Sequence, residues 1–388
     1  MMAETKEMPL KDLEKQLQSL PVEANTEDDA KQSAENKKEI QSVLNKIKKK
    51  FGSDMIDFYD NQSARFRLSH VPTQRAVINK ALGIGGIPLG KITEIYGPEH
   101  TAKTGLLLGT IAEAQKLGLN CAMVDAEWAT EMDYLHLMGV DTKNLIFCRP
   151  ETGEDALKVV EALVYSGEVS VIGIESVAAL TPKTEMDGEI GDAHMALQAR
   201  LMSQAMRKLN AVASKNRVAL IFLNQIRETM NMYGEQETTP GGKALRYYAS
   251  VRIELRKGQA IKNKQTVIGT GIKVNIKKNR VGIPFRRCEF DIIFGKPYDP
   301  IKDLHENTLS LWKRGGGSYS LLDENGDVLK DKEGQEYKAV GKEGVLELIR
   351  SSEELQQTLD RLWDESLNSA YSVRTDDDEN ETEEDADD

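Results

Sequence analysis

The stretch Lys91-Ile-Thr-Glu-Ile-Tyr-Gly-Pro-Glu-His-Thr-Ala-Lys-Thr104 decides the fold, because it joins a buried strand, a tight polar loop and an apolar helix. A strand, a loop of this length and a helix N-terminus form a cradle for an anion. Backbone N–H groups between Gly97 and Lys103 can face nucleotide phosphates, Lys103 can reach the outer phosphates, and the Thr104 hydroxyl can hold Mg²⁺. The pattern therefore predicts a P-loop.

The loop departs from the usual pattern G-x-x-x-x-G-K-[ST] at one position. Ala102 stands in place of the second glycine, so a methyl group lies where the backbone normally approaches phosphate most closely. The alternative is an ordinary strand-to-helix turn that contains Lys-Thr by chance, but the flanking strand and helix favour nucleotide binding. The residues expected to bind the nucleotide are Gly97, Pro98, Glu99, His100, Thr101, Ala102, Lys103 and Thr104.

Length and composition limit the class of protein. The chain has 388 residues, enough for one large domain with accessory parts. It has no apolar run long enough to span a membrane and no secretory signal at its start, so we expect a cytoplasmic protein with no membrane partner. Its three cysteines are widely spaced, which fits neither a disulfide framework nor a metal site.

Charge is distributed unevenly along the chain. The formal net charge is −12, but Asp376 to Asp388 hold ten acids and no base, and residues 1–37 carry nine acids against five lysines. Gly241 to Arg287, in contrast, contains thirteen Lys or Arg residues and the single acid Glu254. Such basic density is typical of surfaces that bind nucleic acids or polyphosphates, although a solvated face has the same composition.

Short apolar runs alternate with helical segments after the loop, which predicts a mostly parallel sheet covered on both faces. The runs are Cys121–Asp125, Asn144–Cys148, Val169–Ile174, Val218–Leu223 and Val251–Leu255. Ligands of such sheets lie beyond the carboxyl ends of the strands, where Glu127, Glu175 and Gln225 follow. We interpret Glu175, with Thr104, as a Mg²⁺ site and Glu127 as the general base. Each acid alone is also typical of a helix cap.

The strings around these residues closely resemble the bacterial and phage RecA recombinases. They are Ile95-Tyr-Gly-Pro-Glu99, Val124-Asp-Ala-Glu127, Ser176-Val-Ala-Ala-Leu-Thr-Pro182, Gly188-Glu-Ile-Gly-Asp192, Met202-Ser-Gln-Ala-Met-Arg-Lys208, Asn224-Gln-Ile-Arg227 and Tyr248-Ala-Ser-Val-Arg252. The resemblance covers residues 38–295 and extends more weakly to 366. It implies an α/β fold, namely a P-loop RecA-like ATPase core with a mostly parallel central sheet, an N-terminal helix-strand oligomerisation arm and a small C-terminal α/β module.

Composition and the resemblance together predict a division of the chain. The parts are a disordered N-terminal extension (1–37), a polymerisation arm (38–70), the ATPase core with DNA-binding loops (71–297), the C-terminal α/β module (298–370) and a disordered acidic tail (371–388). In the arm we expect a helix ending at Gly52 and a strand over Met55–Tyr59. In the module we expect a hairpin between Ser318 and Leu329 followed by two helices. The tail acts as an electrostatic brake on DNA binding or as a solubility tail.

An ATP-dependent DNA recombinase is the function that the resemblance implies. ATP and Mg²⁺ bind the P-loop with Lys103, Glu127 is the catalytic base, Tyr134 stacks on adenine, and Gln225 senses the γ-phosphate. The protein assembles as a homo-oligomeric helical filament on single-stranded DNA and exchanges strands with double-stranded DNA.

Further residues are assigned to DNA and to the neighbouring subunit by the same resemblance. Loops from Glu185 to Met195 and from Arg227 to Gly242 hold the DNA. The DNA-binding residues implied are Arg200, Arg207, Arg227, Met232, Tyr233, Gly241, Gly242 and Lys243. Lys278 and Arg280 enter the neighbour's ATP site and stabilise γ-phosphate charge, and Tyr247 transmits the ATP state across the interface.

Several departures from the family pattern bear on hydrolysis. Besides Ala102, Glu175 stands where aspartate is usual, Trp128 follows Glu127 where histidine is common, and Arg280 replaces a lysine. A displacement of phosphate or metal by a fraction of an ångström would slow hydrolysis without abolishing binding. The alternative function is therefore a RecA-like ATP- and DNA-binding regulatory scaffold with little hydrolysis. A ring-shaped helicase is disfavoured by the N-terminal arm.

Overall fold

The computed structural model describes residues 40–50, 69–189, 196–228, 237–323, 326–363 and 365. The predictions for residues 1–37, for the strand Met55–Tyr59, for Met232 and Tyr233, and for the tail 371–388 lie outside these ranges. The chain divides into two compact units, Met1–Arg67 and Leu68–Asp388. In the first, residues 40–50 are helical, in agreement with their apolar spacing.

The second unit alternates strands with helices. Its strands are β1 (His70–Val71), β2 (Ile87–Pro88), β3 (Ile92–Gly97), β4 (Cys121–Asp125), β5 (Leu145–Cys148), β6 (Val171–Glu175), β7 (Ala219–Gln225), β8 (Arg227–Glu228), β9 (Glu237–Thr238), β10 (Val251–Asn263), β11 (Thr266–Asn279), β12 (Arg287–Ile293), β13 (Trp312–Gly315), β14 (Ser318–Leu321) and β15 (Lys338–Val340). Its α-helices are α1 (Ala76–Leu82), α2 (Lys103–Lys116), α3 (Met132–Leu137), α4 (Gly153–Ser166), α5 (Lys183–Met186), α6 (Leu197–Asn216), α7 (Lys243–Tyr248), α8 (Pro300–Thr308) and α9 (Gly341–Ser351). Residues 353–363 are also helical.

Within the described ranges, eight strands form the central sheet in the order β12-β11-β10-β3-β7-β6-β4-β5. The strands from β10 to β5 run parallel, whereas β11 and β12 are antiparallel to their neighbours. The predicted mostly parallel sheet is therefore confirmed. The long β10–β11 hairpin was not predicted, because its outer half is partly solvated and has no continuous apolar run.

Helices cover both faces of this sheet. Successive residues of β7 belong to different apolar clusters, with Ile221 in the cluster that contains α2 and Phe222 in the cluster that contains α6, because side chains alternate along a strand. A Cβ at Gly173 of β6 would lie 2.6 Å from the side chain of Leu107. Helix α2 therefore packs closely on β6, which sets its N-terminus beside the carboxyl ends of the parallel strands.

The C-terminal module is an antiparallel sheet, β13-β14-β15, with α9 and the helix 353–363. The predicted turn after β14 is present: the Gly326 amide donates to the Asp323 carbonyl oxygen over 3.1 Å, and Leu322 bridges Val328. Lys80 of α1 contacts this module through a 3.0 Å ion pair with Asp360. Among the described residues, none of the helices has the length and apolar character needed to cross a membrane.

Candidate functional site

The loop between β3 and α2 is held by short internal contacts. A Cβ at Gly97 would lie 2.2 Å from the Leu255 carbonyl oxygen, so this position requires glycine. The buried Thr101 hydroxyl donates to the Pro98 carbonyl oxygen over 2.8 Å and closes the turn. The loop ends at the N-terminus of α2, whose first N–H groups have no partner within the helix and are suitable donors to an anion.

Ala102 adopts the left-handed backbone conformation that favours glycine, with φ 64° and ψ 22°. A residue with a Cβ pays about 1–2 kcal/mol in this region. The half-buried alanine packs against the apolar cluster that contains α2. The substitution therefore retains a glycine-like backbone path at a modest energetic cost.

Lys103 lies folded back over the loop. Its Nζ donates to the carbonyl oxygens of Gly97 at 3.1 Å and Pro98 at 2.7 Å. Burial lowers the pKa of Lys103, although the nearby carboxylates of Glu175 and Glu127 act in the opposite direction. The ammonium group is thus partly desolvated and can exchange carbonyl partners for a phosphate.

Thr104 and Glu175 bring a hydroxyl and a carboxylate together beside the loop. The Thr104 hydroxyl donates to Oε1 of Glu175 over 2.6 Å. Oε2 of Glu175 is buried and has no hydrogen-bond partner among the described residues. Burial raises the pKa of Glu175 to about 7, and the neighbouring Glu127 adds to the rise. Such an unpaired buried oxygen beside a hydroxyl fits Mg²⁺, which takes one or two protein ligands and completes its shell with phosphate and water.

Glu127 lies between the carboxyl ends of β6 and β7, where it contacts a residue at each. The Ser176 hydroxyl donates to its carboxylate, and Nε2 of Gln225 donates to its Oε1 over 3.2 Å. The turn that carries Glu127 is held by Asp125, a fully buried carboxylate that accepts from the Thr130 amide at 3.1 Å. The predicted base and the predicted sensor are therefore in direct contact. The sequence analysis assigns no role to Ser176, although this residue directly follows Glu175 and begins one of the strings that resemble the family.

Tyr134 of α3 lies beside the first turn of α2. A Cβ at Gly105 would lie 2.8 Å from the Tyr134 hydroxyl oxygen, and burial raises the pKa of this tyrosine. The ring is 37% exposed, so it can contact a flat ligand next to the loop. Its adenine-stacking role stays a prediction.

A second region, here named the basic groove, has a volume of about 1210 Å³. Its basic lining residues are Lys243, Arg246, Arg252, Lys277, Lys278 and Arg280. Nζ of Lys278 donates to the carbonyl oxygens of Arg246 and Tyr247, each at 2.9 Å. Burial lowers the pKa of Lys278 to about 8, and the positive charges of Arg280 and Arg252 lower it further. The 65% exposed Tyr247 also lines this groove.

The expected DNA-binding residues divide between the groove and α6. Gly242 and Lys243 line the groove, whereas Arg200 and Arg207 have exposed side chains on α6. Arg227 pairs with Thr238 in the short ladder β8–β9, which joins the two ends of the second expected loop. The tip residues Met232 and Tyr233 lie outside the described ranges.

A buried polar network links the groove to the strand ends and was not recognised from sequence. Nδ2 of Asn224 donates to Glu94 at 3.0 Å and to the Pro240 carbonyl oxygen at 3.2 Å. Nε of Arg252 donates to the other Glu94 oxygen at 2.5 Å, and its guanidinium stacks on Tyr96 at 4.4 Å from the ring centre. The signal available was Glu94 itself, a charged residue inside an apolar strand, because a buried carboxylate requires partners.

Comparisons with known proteins agree with this geometry. The family model described as RecA N-terminal domain matches residues 38–299. Protein RecA of Symbiobacterium thermophilum is 48% identical over 270 residues, which cover 69% of this chain and 76% of that protein. Protein RecA of Thermus aquaticus is 49% identical over 273 residues, 70% and 80% of the two chains. Protein RecA of Bacteroides thetaiotaomicron is 44% identical over 340 residues, 87% and 99% of the two chains.

Proposed function

The chain belongs to the RecA family, and we propose that it is an ATP-dependent recombinase that assembles on single-stranded DNA and exchanges strands with a homologous duplex. As a family member it is a DNA-dependent ATPase of recombination and repair. The observation that carries the proposal is the contact of Glu127 with both Ser176 and Gln225, next to the Thr104–Glu175 pair.

ATP binds at the loop between β3 and α2 in this proposal. Lys103 exchanges the carbonyl oxygens of Gly97 and Pro98 for the outer phosphates, and the N–H groups at the start of α2 face the remaining oxygens. Thr104 and Glu175 hold Mg²⁺, which when bound neutralises phosphate charge. The unpaired buried oxygen of Glu175 supports this assignment.

Glu127 accepts a proton from the water that attacks the γ-phosphate. Ser176 and Gln225 hold its carboxylate in place. Because Gln225 ends β7 just before Arg227, a change in its contact with Glu127 on ATP binding displaces the beginning of the second DNA-binding loop. Nucleotide state and DNA affinity are coupled in this way.

Lys278 and Arg280 act on the ATP of a neighbouring subunit. The density of positive charge in the basic groove supports this role, since the groove has the charge that a triphosphate needs. A head-to-tail contact of this kind builds an open helical filament when its rotation does not close a ring, and a filament is the assembly that we propose. The arm of residues 38–70 strengthens the same contact.

DNA of any sequence binds through phosphate contacts of Arg200, Arg207, Arg227 and Lys243. Gly241 and Gly242 contribute main-chain contacts to the DNA at the end of the second loop, and Met232 and Tyr233 separate stacked bases. The bound single strand then samples duplex DNA for a homologous partner.

The experiment that tests this function is ATP hydrolysis by the purified protein with and without single-stranded DNA. We expect strong stimulation by the DNA and helical filaments in electron micrographs. Tight binding of ATP and DNA without turnover would instead identify a regulatory scaffold, and closed rings on DNA would identify a helicase-like motor.

A further inference from the structure

Gln198 joins two segments that are distant in sequence. It lies half-buried in the first turn of α6. Its Nε2 donates to the Val177 carbonyl oxygen at 2.8 Å and lies 3.3 Å from that of Leu180. Its Oε1 accepts from the Gly241 amide at 3.1 Å. Both ends of the side-chain amide are therefore used.

The segments that Gln198 joins come from the nucleotide site and from both expected DNA-binding loops. Val177 begins the 3₁₀ turn that follows Glu175 and Ser176. Gly241 lies near the end of the second expected loop, and Gln198 itself follows the first. A single amide thus connects the loop ends to the carboxyl end of β6.

The contact between these segments is close. A Cβ at Gly241 would lie 2.7 Å from Cγ1 of Val177, and a Cβ at Gly242 would lie 2.8 Å from Cβ of Ala199. Both glycines have a positive φ, 84° and 74°, where side chains are strained. The backbone after the second loop therefore rests directly on the 3₁₀ turn and on α6, and its position follows theirs.

Glu127 consequently connects to both ends of the second loop. One donor to its carboxylate, Gln225, precedes that loop. The other donor, Ser176, leads through Val177 and Gln198 to Gly241, which lies near the end of the loop. A change at Glu127 can therefore act on the two ends of one loop at once.

We propose that Gln198 is a positioning residue that couples both DNA-binding loops to the nucleotide site through Val177, by a route separate from the Gln225 contact. This inference rests on the proposed function, because it takes the segments on either side of Gln198 as DNA-binding loops. Nucleotide binding itself does not require the contact, since Gln198 has no bond to Lys103, Thr104 or Glu175 among the described contacts.

The test compares Gln198→Ala and Gln198→Glu with the control Gln204→Ala, which removes the same side chain from an exposed position of α6. Alanine loses the hydrogen bonds of Nε2 and that of Oε1. Glutamate keeps an acceptor for the Gly241 amide but cannot donate to the Val177 carbonyl oxygen. The main readout is the ratio of the dissociation constants of a labelled oligothymidylate without nucleotide and with a non-hydrolysable ATP analogue.

We expect this ratio to fall about tenfold in both Gln198 variants, a typical size for coupling between two sites. The stimulation of ATP hydrolysis by DNA should fall in parallel, while affinity for the ATP analogue without DNA stays unchanged and the melting temperature falls only by the few degrees that lost hydrogen bonds cost. A merely structural role would lower affinity for the ATP analogue without DNA as well, and that result would overturn the proposal.

The remaining outcomes separate the two hypotheses. A ratio in Gln198→Ala equal to that of Gln204→Ala would overturn the coupling role alone, and an unaffected Gln198→Glu would exclude the route through Val177. Absence of DNA stimulation in the unsubstituted protein would overturn the proposed function itself, and this inference with it.

Discussion

Lys103 and Lys278 occupy two regions of the molecule that are alike in hydrogen bonding and opposite in charge. Each ammonium group donates to two main-chain carbonyl oxygens, and burial lowers the pKa of each. Around Lys103 the nearby charges are carboxylates that oppose this fall. Around Lys278 they are mainly arginines that deepen it.

The opposite charges around the two lysines indicate which ion each region would bind. The end of the sheet near Lys103 contains Glu127 and Glu175 and therefore requires a cation beside any phosphate that binds there. The groove around Lys278 is lined by six Lys or Arg residues against two acids, Glu237 and Glu254, and this excess of positive charge favours an anion. One triphosphate with its metal, bound between two subunits, would satisfy both regions, so the comparison supports an active site shared between neighbours.

The strongest test of this comparison removes the cations of the groove. The double substitution Lys278→Ala and Arg280→Ala should lower the rate of DNA-stimulated ATP hydrolysis by about 10³-fold or more, the size found for arginine fingers. ATP affinity of unassembled protein should stay unchanged, because the proposed nucleotide site is formed around Lys103 and not around Lys278. The measurement is steady-state hydrolysis together with ATP binding in the absence of DNA.

Lys273→Ala is the matched control for this prediction. Lys273 lies on the same strand, β11. Among the described residues its side chain makes one exposed ion pair, with Glu289 at 4.0 Å, so its loss should change neither quantity. If the double variant lost ATP affinity without assembly, the groove would serve the subunit's own nucleotide, and the shared site would be excluded.

The next largest effect concerns the end of the sheet that contains Glu127 and Glu175, here named the acidic region. Glu127→Gln should lower hydrolysis by about 10²–10⁴-fold, because the amide cannot accept the proton of the attacking water. Binding of ATP and DNA should persist, since Ser176 and Gln225 retain an oxygen acceptor. The rate of hydrolysis is measured in single-turnover experiments. Binding is measured as the affinity for an oligonucleotide in the presence of ATP.

Mixing the two variants tests the comparison directly. In an equal mixture of Glu127→Gln protein with the Lys278→Ala, Arg280→Ala protein, about a quarter of the interfaces combine an intact acidic region with an intact groove, if subunits assemble at random. Hydrolysis should return to about that fraction of normal. No recovery in mixed filaments would mean that both regions serve the same subunit.

Much of the acidic region could be predicted because parallel strands end at the same edge. Glu175 and Thr104 are far apart in sequence, but Glu175 ends β6 and Thr104 lies in the first turn of α2. Because this strand end and this helix start meet at the same edge of the sheet, the alternating pattern implied their 2.6 Å contact. The mostly parallel sheet was predicted for the same reason. Such arguments need only the positions of strand ends.

The rest depends on the path of the backbone after each strand. The Ser176 hydroxyl donates to Glu127 at the start of a 3₁₀ turn. The hydrogen bonds that Gln198 makes with Val177 and Gly241 depend on this turn and on a pair of glycines. No periodicity in the sequence reports these turns. The low pKa of Lys278 likewise depends on tertiary neighbours, which composition shows only as a general basic density.

A smaller, pH-dependent effect sharpens the comparison. The dependence of kcat/KM for MgATP on pH reports the free protein, and we expect a maximum between about pH 7 and pH 8. Below its pKa of about 7, Glu175 takes up a proton, which competes with the metal for the carboxylate. The value of kcat/KM should therefore fall about tenfold for each pH unit below 7. Above its pKa of about 8, Lys278 loses its charge and its attraction to phosphate.

The two limbs can be assigned separately. Lys278→Arg should remove the alkaline limb, because a guanidinium stays charged at every pH used, and should leave the acid limb in place. The profile is measured at saturating DNA with fixed free Mg²⁺. An alkaline limb that persists in Lys278→Arg would show that the groove lysine does not contribute to the charge on which turnover depends.

The smallest expected effect concerns the loop itself. Ala102→Gly removes a Cβ from a left-handed position, which relieves about 1–2 kcal/mol of strain, while the added freedom of the unfolded chain offsets about 0.4–1 kcal/mol. We therefore expect a net gain of between about 0 and 1.6 kcal/mol in the free energy of unfolding, measured by denaturant titration. Ala211→Gly makes the same change at an exposed, right-handed position inside α6 and should cost about 0.5–1 kcal/mol. Opposite signs would establish that the loop keeps its glycine-like path in solution. Equal losses would mean that the contact of the Ala102 methyl with the core outweighs its backbone strain, and restoring the usual glycine would then loosen the loop on which Lys103 and Thr104 depend.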